Sequence, residues 1–390
     1  MAISVALGMA SCGGGGGGSG GTPANPSPGV AQNVLPISVD AGPANTVNIP
    51  FVSVTICAPG SGNCQTIDHL ILDTGSTGLR IMSSVLSPLL ALTQQTASNG
   101  SSLVECTQFA DGYVWGPVKA ADVRLGGESV NSLAIQVIGD PGFTNIPSSC
   151  SSTGPGNNTV QAFGGNGILG VSVFQHDCGA ACAQTAIPGT YYACAGTNCQ
   201  PVAVDLARQV QNPAGLLASD NNGVIIDLPA VAAMGAATVK GSLILGIGTQ
   251  ANNSLGNAVV FALDPNAGTL TTVFNVQRYA GSFIDSGSNA VFFPDGATTL
   301  CSSGFYCPAA TQQLTATNQG TNGSNGTVNF SVANADILVR TGNTAFNNLA
   351  APPFGMPGFD WGLPFHFGRR VFTAIEGKSS AGGRGPYIAY

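Results

Sequence analysis

Charged side chains are scarce in this sequence. Only 7% of the 390 residues are Asp, Glu, Lys or Arg, whereas an ordinary soluble domain has about 25%. Helices of soluble proteins place Glu and Lys on their solvent-facing side, so the shortage favours strands and turns. The 11 basic and 18 acidic residues leave a net charge of −7. Such a chain is poorly suited to neutralising a row of phosphates, and we predict no nucleic-acid partner.

Long apolar runs and ligand-like histidine patterns are also missing. Beyond the N-terminus there is no run of about eighteen apolar residues, the length that a membrane-spanning helix needs. The three histidines, His69, His176 and His366, show no metal-ligand spacing, and no Ser/His/Asp arrangement is recognisable. Gly165 to Gly170 has the spacing of a dinucleotide fingerprint but no preceding strand or βαβ unit. We therefore expect no metal and no cofactor.

Apolar residues and glycine are abundant. Apolar side chains make up 44% of the chain and glycine contributes 55 residues, enough for a sizeable core with many turns. From Val34 onward, short apolar runs alternate with Gly, Pro and Asn, and residues 51–56 alternate with a period of two, which is typical of strands. The sequence predicts an all-β fold.

Cysteine is the second abundant feature, with eleven residues. Without Cys12 ten remain, an even number with several close pairs, which in an exported protein indicates disulfides. The four cysteines between Cys178 and Cys199 have an alternative, because two close pairs of thiolates are able to ligate zinc. Disulfides are the simpler interpretation, and they imply an oxidising compartment.

Cys12 ends an apolar stretch of small residues that resembles the lipobox of bacterial lipoproteins. Residues 1–12 are accordingly interpreted as a signal peptide and lipobox, and the Gly- and Pro-rich residues 13–32 as a flexible tether. This predicts a protein of the bacterial cell envelope, held by lipid at the periplasmic or outer-membrane face. No Lys or Arg precedes the apolar stretch, so an ordinary apolar N-terminus with a chance cysteine is the alternative.

Two related motifs organise the rest of the chain. Residues 69–79 form an apolar run that ends in Asp73 and continues as Thr74-Gly75-Ser76, and residues 281–289 repeat the pattern around Asp285. Each motif is typical of a buried strand that turns sharply beneath one carboxylate. A buried carboxylate is costly to ionise alone, so the two are expected to face each other or a partner.

These motifs resemble the Asp-Thr/Ser-Gly-Ser/Thr signatures of pepsin-like aspartic proteases. The resemblance implies two β-rich lobes, here residues 33–237 and 238–390, with the active site at their junction. The amino-acid sequence of residues 359–362 and 368–377 also resembles that of a bacterial family of exported proteins. This second resemblance suggests no chemistry.

By this resemblance Asp73 and Asp285 are the catalytic pair, sharing one proton and activating a water molecule. Two carboxylates a few ångströms apart cannot both ionise, as is general among aspartic proteases. The supporting residues implied by the family are Thr74, Gly75, Ser76, Ser286, Gly287 and Ser288. Thr74 and Ser286 would link the two loops, and Ser76 and Ser288 would donate to the outer carboxylate oxygens, favouring an acidic working range.

Two positions depart from the family pattern near the first Asp. Phe109 stands where the flap hairpin normally carries Tyr, with Tyr113 and Trp115 nearby as further flap or substrate candidates. Arg80 stands where many family members have Trp, so it either binds acidic substrate side chains or lies on the surface. An ordinary solvent-facing hairpin is the alternative to a flap.

The family also places an apolar-apolar-Gly element beside each Asp loop. Ile168-Leu169-Gly170 fits this element in the first lobe. Asp360-Trp361-Gly362 occupies the corresponding place in the second lobe, but an Asp at its first position leaves the register open.

The sequence therefore predicts a monomeric aspartic-type endopeptidase with a polypeptide substrate. A catalytically inactive binding or inhibitor-like surface lipoprotein of the same fold is the alternative, as in plant xylanase inhibitors, because a fold does not determine a function. A structural lipoprotein with relic aspartates is a third possibility.

Overall fold

The computed structural model describes residues 31–353, 355 and 358–390. Cys12 and the predicted signal peptide lie outside these residues. The strands of the described part are β1 (Val34–Val39), β2 (Pro50–Cys57), β3 (Cys64–Asp73), β4 (Thr77–Met82), β5 (Thr93–Gln94), β6 (Ser102–Phe109), β7 (Gly112–Leu125), β8 (Glu128–Ile138), β9 (Gly167–Val171), β10 (Tyr191–Ala195), β11 (Asn198–Pro201), β12 (Gly223–Leu228), β13 (Val239–Leu245), β14 (Val260–Ala262), β15 (Leu270–Phe274), β16 (Gln277–Ile284), β17 (Val291–Phe292), β18 (Gln312–Gln319), β19 (Asn325–Val332), β20 (Ala350–Ala351), β21 (Asp360–Trp361), β22 (Arg369–Ala374), β23 (Ser379–Ser380), β24 (Gly383–Arg384) and β25 (Tyr387–Ala389).

Helices in the described residues are short. They are α1 (Ser148–Ser151), α2 (Val160–Phe163), α3 (Ala180–Gln184), α4 (Ala335–Val339) and α5 (Leu363–His366), with single 3₁₀ turns at Ser83–Val85, Leu206–Arg208, Pro213–Leu216 and Ala251–Asn253. None of these helices has the length and apolar character required to cross a membrane.

Two kinds of strand follow from the hydrophobic pattern. In β15 buried and half-buried residues alternate along the strand, as expected where one face packs on a core and the other faces solvent. In β4 and β9 every residue is buried, because both strands are sandwiched within the lobe. Burial along these central strands is therefore continuous, and in β4 it includes the polar residues Thr77 and Arg80.

The strands form two principal sheets, of which the larger contains the strands around Asp73 and the smaller those around Asp285. A 16-stranded sheet runs in the order β11-β10-β6-β7-β8-β4-β9-β3-β2-β1-β13-β12-β22-β25-β14, with β5 paired to β7. A seven-stranded sheet has the order β19-β18-β15-β16-β21-β17-β20. Each carries a large apolar core of its own. The predicted all-β, bilobal fold is confirmed.

The larger sheet also pairs the first strand with a strand from the middle of the chain. β13, near the predicted start of the second lobe, pairs antiparallel with β1 along its length and with β12 on its other side. The sheet thus continues through the strands that follow the first lobe. The division at residue 237 stays a prediction, since this pairing runs across it.

Disulfides staple the loops of both lobes. The ten cysteines after Cys12 form the pairs Cys57–Cys64, Cys106–Cys150, Cys178–Cys182, Cys194–Cys199 and Cys301–Cys307. The predicted disulfides are confirmed, and the four cysteines considered for zinc are bonded in pairs instead. Such pairing is typical of a protein that folds in an oxidising, exported environment.

Candidate active site

Each Asp loop is built on the same crossing of strands. β3 runs parallel to β9, with Asp73 opposite Gly170, and β4 returns antiparallel on the other side of β9. A Cβ atom added to Gly170 would lie 2.8 Å from the backbone oxygen of Ser76. Only glycine lets the two segments approach this closely. The loop after Asp73 is thereby held against β9.

The second lobe repeats this arrangement. β16 runs parallel to β21, with Ile284 opposite Trp361, and β21 pairs antiparallel with β17. A Cβ atom on Gly362 would lie 2.5 Å from the carbonyl oxygen of Ser288. Gly362 therefore corresponds to Gly170. The register left open by the sequence is resolved: Asp360-Trp361-Gly362 occupies the place of Ile168-Leu169-Gly170.

A reciprocal set of hydrogen bonds ties the two loops together. The backbone N–H of Thr74 donates to Ser286 Oγ at 3.1 Å, and that of Ser286 donates to Thr74 Oγ1 at 2.9 Å. Each hydroxyl then donates across the junction, Ser286 Oγ to the Leu72 carbonyl at 2.8 Å and Thr74 Oγ1 to the Ile284 carbonyl at 3.4 Å. All four groups are buried, so the loops are fixed relative to each other.

The carboxyl groups of Asp73 and Asp285 meet at the centre of this arrangement. Both side chains have 0% exposure. A Cβ atom added to Gly287 would lie 2.6 Å from Asp73 Oδ1 and 3.2 Å from Asp285 Oδ1, so the two carboxyls are close neighbours. One oxygen of each accepts from the backbone two residues on, Asp73 Oδ1 from Gly75 at 2.7 Å and Asp285 Oδ1 from Gly287 at 2.8 Å. Two buried carboxyls this close disfavour ionisation of both, so the pair is expected to hold one proton.

The two flanking serines do not behave alike. Ser288 Oγ donates to Asp285 Oδ2 at 2.9 Å, as the family resemblance implies. Ser76 lies close enough to help lower the pKa of Asp73, but its Oγ and the Asp73 Oδ2 atom make no hydrogen bond of ordinary geometry among the described residues.

The surroundings move the two pKa values apart. Burial, followed by the neighbouring Asp73 charge, raises the pKa of Asp285 well above its ordinary value. Burial also acts to raise the pKa of Asp73, but the neighbouring Asp285, Ser76 and Gly75 act in the opposite direction and the pKa of Asp73 is lowered. The two groups therefore titrate as one coupled pair.

A third buried carboxyl lies beside this pair. Asp360 is 2% exposed, and its Oδ2 lies 2.6 Å from Ser288 Oγ. Burial raises the pKa of Asp360 to about 8. Asp360 was not predicted from the sequence as a site residue. The one signal was an Asp at a position where the first lobe has the apolar Ile168.

Arg80 lies inside the first lobe rather than on its surface, so the surface interpretation was wrong. Its side chain is 1% exposed, and Nη2 lies 2.6 Å from Glu105 Oε1 and 3.4 Å from Asp177 Oδ2. Nη1 donates to the Thr77 carbonyl at 2.6 Å. Burial, then Glu105, raises the pKa of Asp177 well above its ordinary value. The guanidinium charge is thus balanced within the protein by Glu105.

Glu105 and Asp177 were not predicted from the sequence as partners of Arg80. They lie 25 and 97 residues away from it along the chain. No local pattern predicts contacts at such separations.

The hairpin of β6 and β7 turns between Phe109 and Gly112, which pair with each other. Phe109 is 5% exposed and its ring packs edge-on against Phe163 at a centroid distance of 5.8 Å. This hairpin tip is anchored in the core of the first lobe, so an ordinary solvent-facing hairpin does not describe it.

Tyr113 and Trp115 belong to a different part of the hairpin. Both pack around the Cys106–Cys150 disulfide, and Trp115 Nε1 donates to the Phe143 carbonyl at 2.8 Å. Neither residue lines a cavity next to the Asp loops. The structure does not bring them to the place that a flap or substrate role would require.

Two cavities adjoin the first Asp loop at Gly75. One, of about 350 Å³, is lined by Ser76, Arg80, Thr107, Phe109 and Asp177 among others. The second, of about 210 Å³, is mainly apolar and includes Phe174, Leu263, Phe283 and Ile388. The first belongs to the N-terminal lobe, and the second lies between the lobes.

The arrangement is suited to proton transfer. A neutral carboxyl next to an ionised one supplies an acid and a base at the same point. Within the described residues, the one grouping with metal-ligand proximity is Cys301, Cys307 and Asp336, which includes neither catalytic candidate, and its two sulfurs are bonded to each other.

Comparison with known proteins places the chain in a family. The family model described as "Protein of unknown function (DUF3443)" matches residues 29–390. No curated protein matches the sequence. Among solved structures, the chain is similar to an aspartic proteinase from Irpex lacteus, with 14% sequence identity, a TM-score of 0.49 and coverage of 91% of this chain and 96% of that one.

Proposed function

We propose that this chain, which belongs to the DUF3443 family, is an aspartic-type endopeptidase whose catalytic pair is Asp73 and Asp285. The observation that carries the proposal is the close approach of two fully buried carboxyls on matching loops. Two acids are held at this distance at a cost, because each disfavours ionisation of the other. Such an arrangement is expected where a shared proton is used.

In the proposed reaction the ionised Asp73 takes a proton from a water molecule, and the neutral Asp285 donates to the scissile carbonyl oxygen. The water oxygen attacks the carbonyl carbon and gives a tetrahedral intermediate. The proton held by Asp73 then passes to the leaving nitrogen as the carbon–nitrogen bond breaks, and one hydroxyl of the intermediate returns a proton to Asp285 as the carboxylic acid forms. The linked hydroxyls of Thr74 and Ser286 hold the two loops in register throughout.

The substrate in this proposal is a polypeptide that lies over Gly75, with side chains entering the two adjoining cavities. The cavity of the first lobe is lined by polar and apolar residues together, whereas the other is mainly apolar. We therefore expect the two sides of the scissile bond to differ in their preferred side chains. Arg80 is engaged with Glu105, so it is not a free charge for acidic substrate residues.

A binding protein of the same fold is the second candidate. It is favoured by the complete burial of both catalytic carboxyls and by the ion pair at Arg80 where the resembling proteases have Trp. On this alternative the cavities bind a protein segment that is never cleaved.

Digestion of a peptide library between about pH 2 and pH 7 separates the two candidates. The wild-type protein should cleave peptides and Asp73→Asn should not, since Asn keeps the shape but cannot hold the charge. Asp205→Asn, at an exposed position, is the matched control and should cleave normally. Absence of cleavage by the wild type at every pH, with library peptides still retained by it, would establish the binding protein.

We further infer that the protein is an exported, monomeric lipoprotein attached through Cys12 to a bacterial envelope membrane. The supporting observations are the small-residue stretch before Cys12 and the five disulfides. Each buried acyl CH₂ contributes about 0.8 kcal/mol to membrane binding. Cys12→Ala should then move the protein from the membrane fraction to the soluble fraction, and a soluble wild-type protein would contradict the attachment.

A further inference from the structure

The hydroxyl of Ser288 lies between two carboxyl groups. Its Oγ is 2.9 Å from Asp285 Oδ2 and 2.6 Å from Asp360 Oδ2. A hydroxyl has one proton to donate, so it is able to donate to only one of the two oxygens. The other contact is a hydrogen bond only if that carboxyl is protonated and donates to the hydroxyl. All three side chains are buried, with 0% exposure for Ser288 and Asp285 and 2% for Asp360.

We propose that Asp360 is a positioning residue for the catalytic pair: its neutral carboxyl donates to Ser288 Oγ and so directs the Ser288 proton to Asp285. The inference rests on the proposed function of Asp73 and Asp285. It is specific to the second lobe, because the corresponding position of the first lobe is Ile168, which packs in an apolar cluster. Ser76 in that lobe correspondingly makes no hydrogen bond of ordinary geometry to Asp73 among the described residues.

The surroundings of Asp360 keep it neutral over the acidic and neutral range. Burial raises its pKa to about 8, the hydrogen bond with Ser288 acts against this shift, and the charge of Asp73 acts in the same direction as burial. The strands β17 and β20 carry no titratable side chain. On β16, Arg278 and Tyr279 lie at the end away from Phe283, the residue paired with Asp360. The helix α5 adds His366, whose pKa burial lowers to about 3, so it is uncharged.

Ionisation of Asp360 reverses the hydrogen-bond direction. An ionised carboxylate only accepts, so it takes the Ser288 proton and Asp285 Oδ2 loses its donor. The new charge also raises the pKa of Asp285 further. The active arrangement of the three carboxyls is therefore lost by two routes as the pH rises, ionisation of Asp360 and loss of the proton shared by Asp73 and Asp285.

The pH–rate profiles of Asp360→Asn and Asp360→Ile test the proposal. Asn still donates an N–H to Ser288 but cannot ionise, so the maximal rate should stay within about tenfold of wild type and the alkaline limb should move up by about half a pH unit or more. Ile, the residue of the first lobe, removes the donor and should lower the maximal rate by about tenfold or more. Asp205→Asn is the control and should leave the profile unchanged.

An unmoved alkaline limb in Asp360→Asn, or a loss of rate by the same factor at every pH, would overturn the positioning role while leaving the endopeptidase in place. Absence of cleavage by the wild-type protein would overturn both.

Thermal unfolding supplies a readout that does not depend on activity. The pKa of Asp360 is about 8 in the folded protein and about 4 when unfolded. A raised carboxyl pKa contributes stability that is complete below the unfolded value and is lost as the pH rises through the folded value. The Tm of the wild type should therefore fall relative to that of Asp360→Asn between about pH 4 and pH 8. Parallel Tm curves would show that Asp360 is ionised in the folded protein and would overturn the proposal.

Discussion

The loops at Asp73 and Asp285 share one backbone design but have different surroundings. In both loops, the backbone N–H two residues after the Asp donates to its carboxyl group. The backbone N–H of the residue directly after the Asp donates to a hydroxyl of the opposite loop. Beyond these bonds the loops diverge. Asp285 is additionally bonded by Ser288, which contacts Asp360, whereas an apolar element flanks Asp73.

The difference shows how a duplicated architecture produces two unlike acids. Matching backbone hydrogen bonds alone would give both carboxyls similar pKa values. Burial and the charge of Asp73 instead raise the pKa of Asp285, whereas the pKa of Asp73 is lowered. Environments that push two pKa values apart are what assigns an acid and a base.

The largest expected effect concerns the catalytic pair. Asp73→Asn and Asp285→Asn should each lower the rate of peptide cleavage by about 10³-fold or more, because the pair then lacks either the base or the shared proton. Steady-state rates on one peptide substrate, with circular dichroism as the check on folding, measure this. A large residual rate in either variant alone would show that Asp73 and Asp285 do not act as a catalytic pair.

One disulfide in each lobe allows a comparison of how much cross-linking contributes to the free energy of unfolding. Cys106–Cys150 spans 44 residues in the first lobe, and Cys301–Cys307 spans 6 in the second. In the chain-entropy account, removing the longer loop's bond costs about 4 kcal/mol of unfolding free energy and removing the shorter one about 2 kcal/mol. Urea unfolding of the two double Cys→Ala variants gives both values. A larger loss from the shorter loop would indicate that loop length does not control the difference.

The hydroxyls that link the loops give a smaller effect. Thr74→Val and Ser286→Ala each remove one hydroxyl and leave a buried backbone N–H without its acceptor, at a cost of about 1–3 kcal/mol. Ser286→Ala should cost more, since Ser286 Oγ donates at 2.8 Å and Thr74 Oγ1 at 3.4 Å. Urea unfolding measures both. The double variant should cost less than the sum of the two, because the groups form one network.

The flanking serines give the smallest effect and the most direct comparison of the loops. Ser288→Ala removes a hydrogen bond to Asp285 and should lower the cleavage rate by about tenfold, equivalent to about 1.4 kcal/mol. Ser76→Ala removes no such bond and should leave the rate within about twofold. Equal losses from both substitutions would mean that the two loops are more alike in solution than their hydrogen bonds indicate.

Much of the fold was open to prediction from local pattern. Short apolar runs, abundant glycine and few charges indicate strands and turns. Strands and turns are predictable in this way because they depend mainly on residues that are neighbours in the sequence. The two Asp motifs and the cysteine count belong to the same class of evidence. Tyr113 and Trp115 were predicted as flap or substrate residues, but both pack around the Cys106–Cys150 disulfide. Which face of a hairpin is buried depends on the segments that pack against it, and these are distant in the sequence.

The sequence by itself determined that the chain is an all-β protein with two Asp loops and paired cysteines, because periodicity, turn residues and residue counts are local properties. Tertiary structure alone decided that Arg80 is buried against Glu105 and that Asp360 lies beside Ser288. Both contacts join residues far apart in the chain, and their chemistry depends on burial, which raises the pKa of a carboxyl only once other segments have removed it from water.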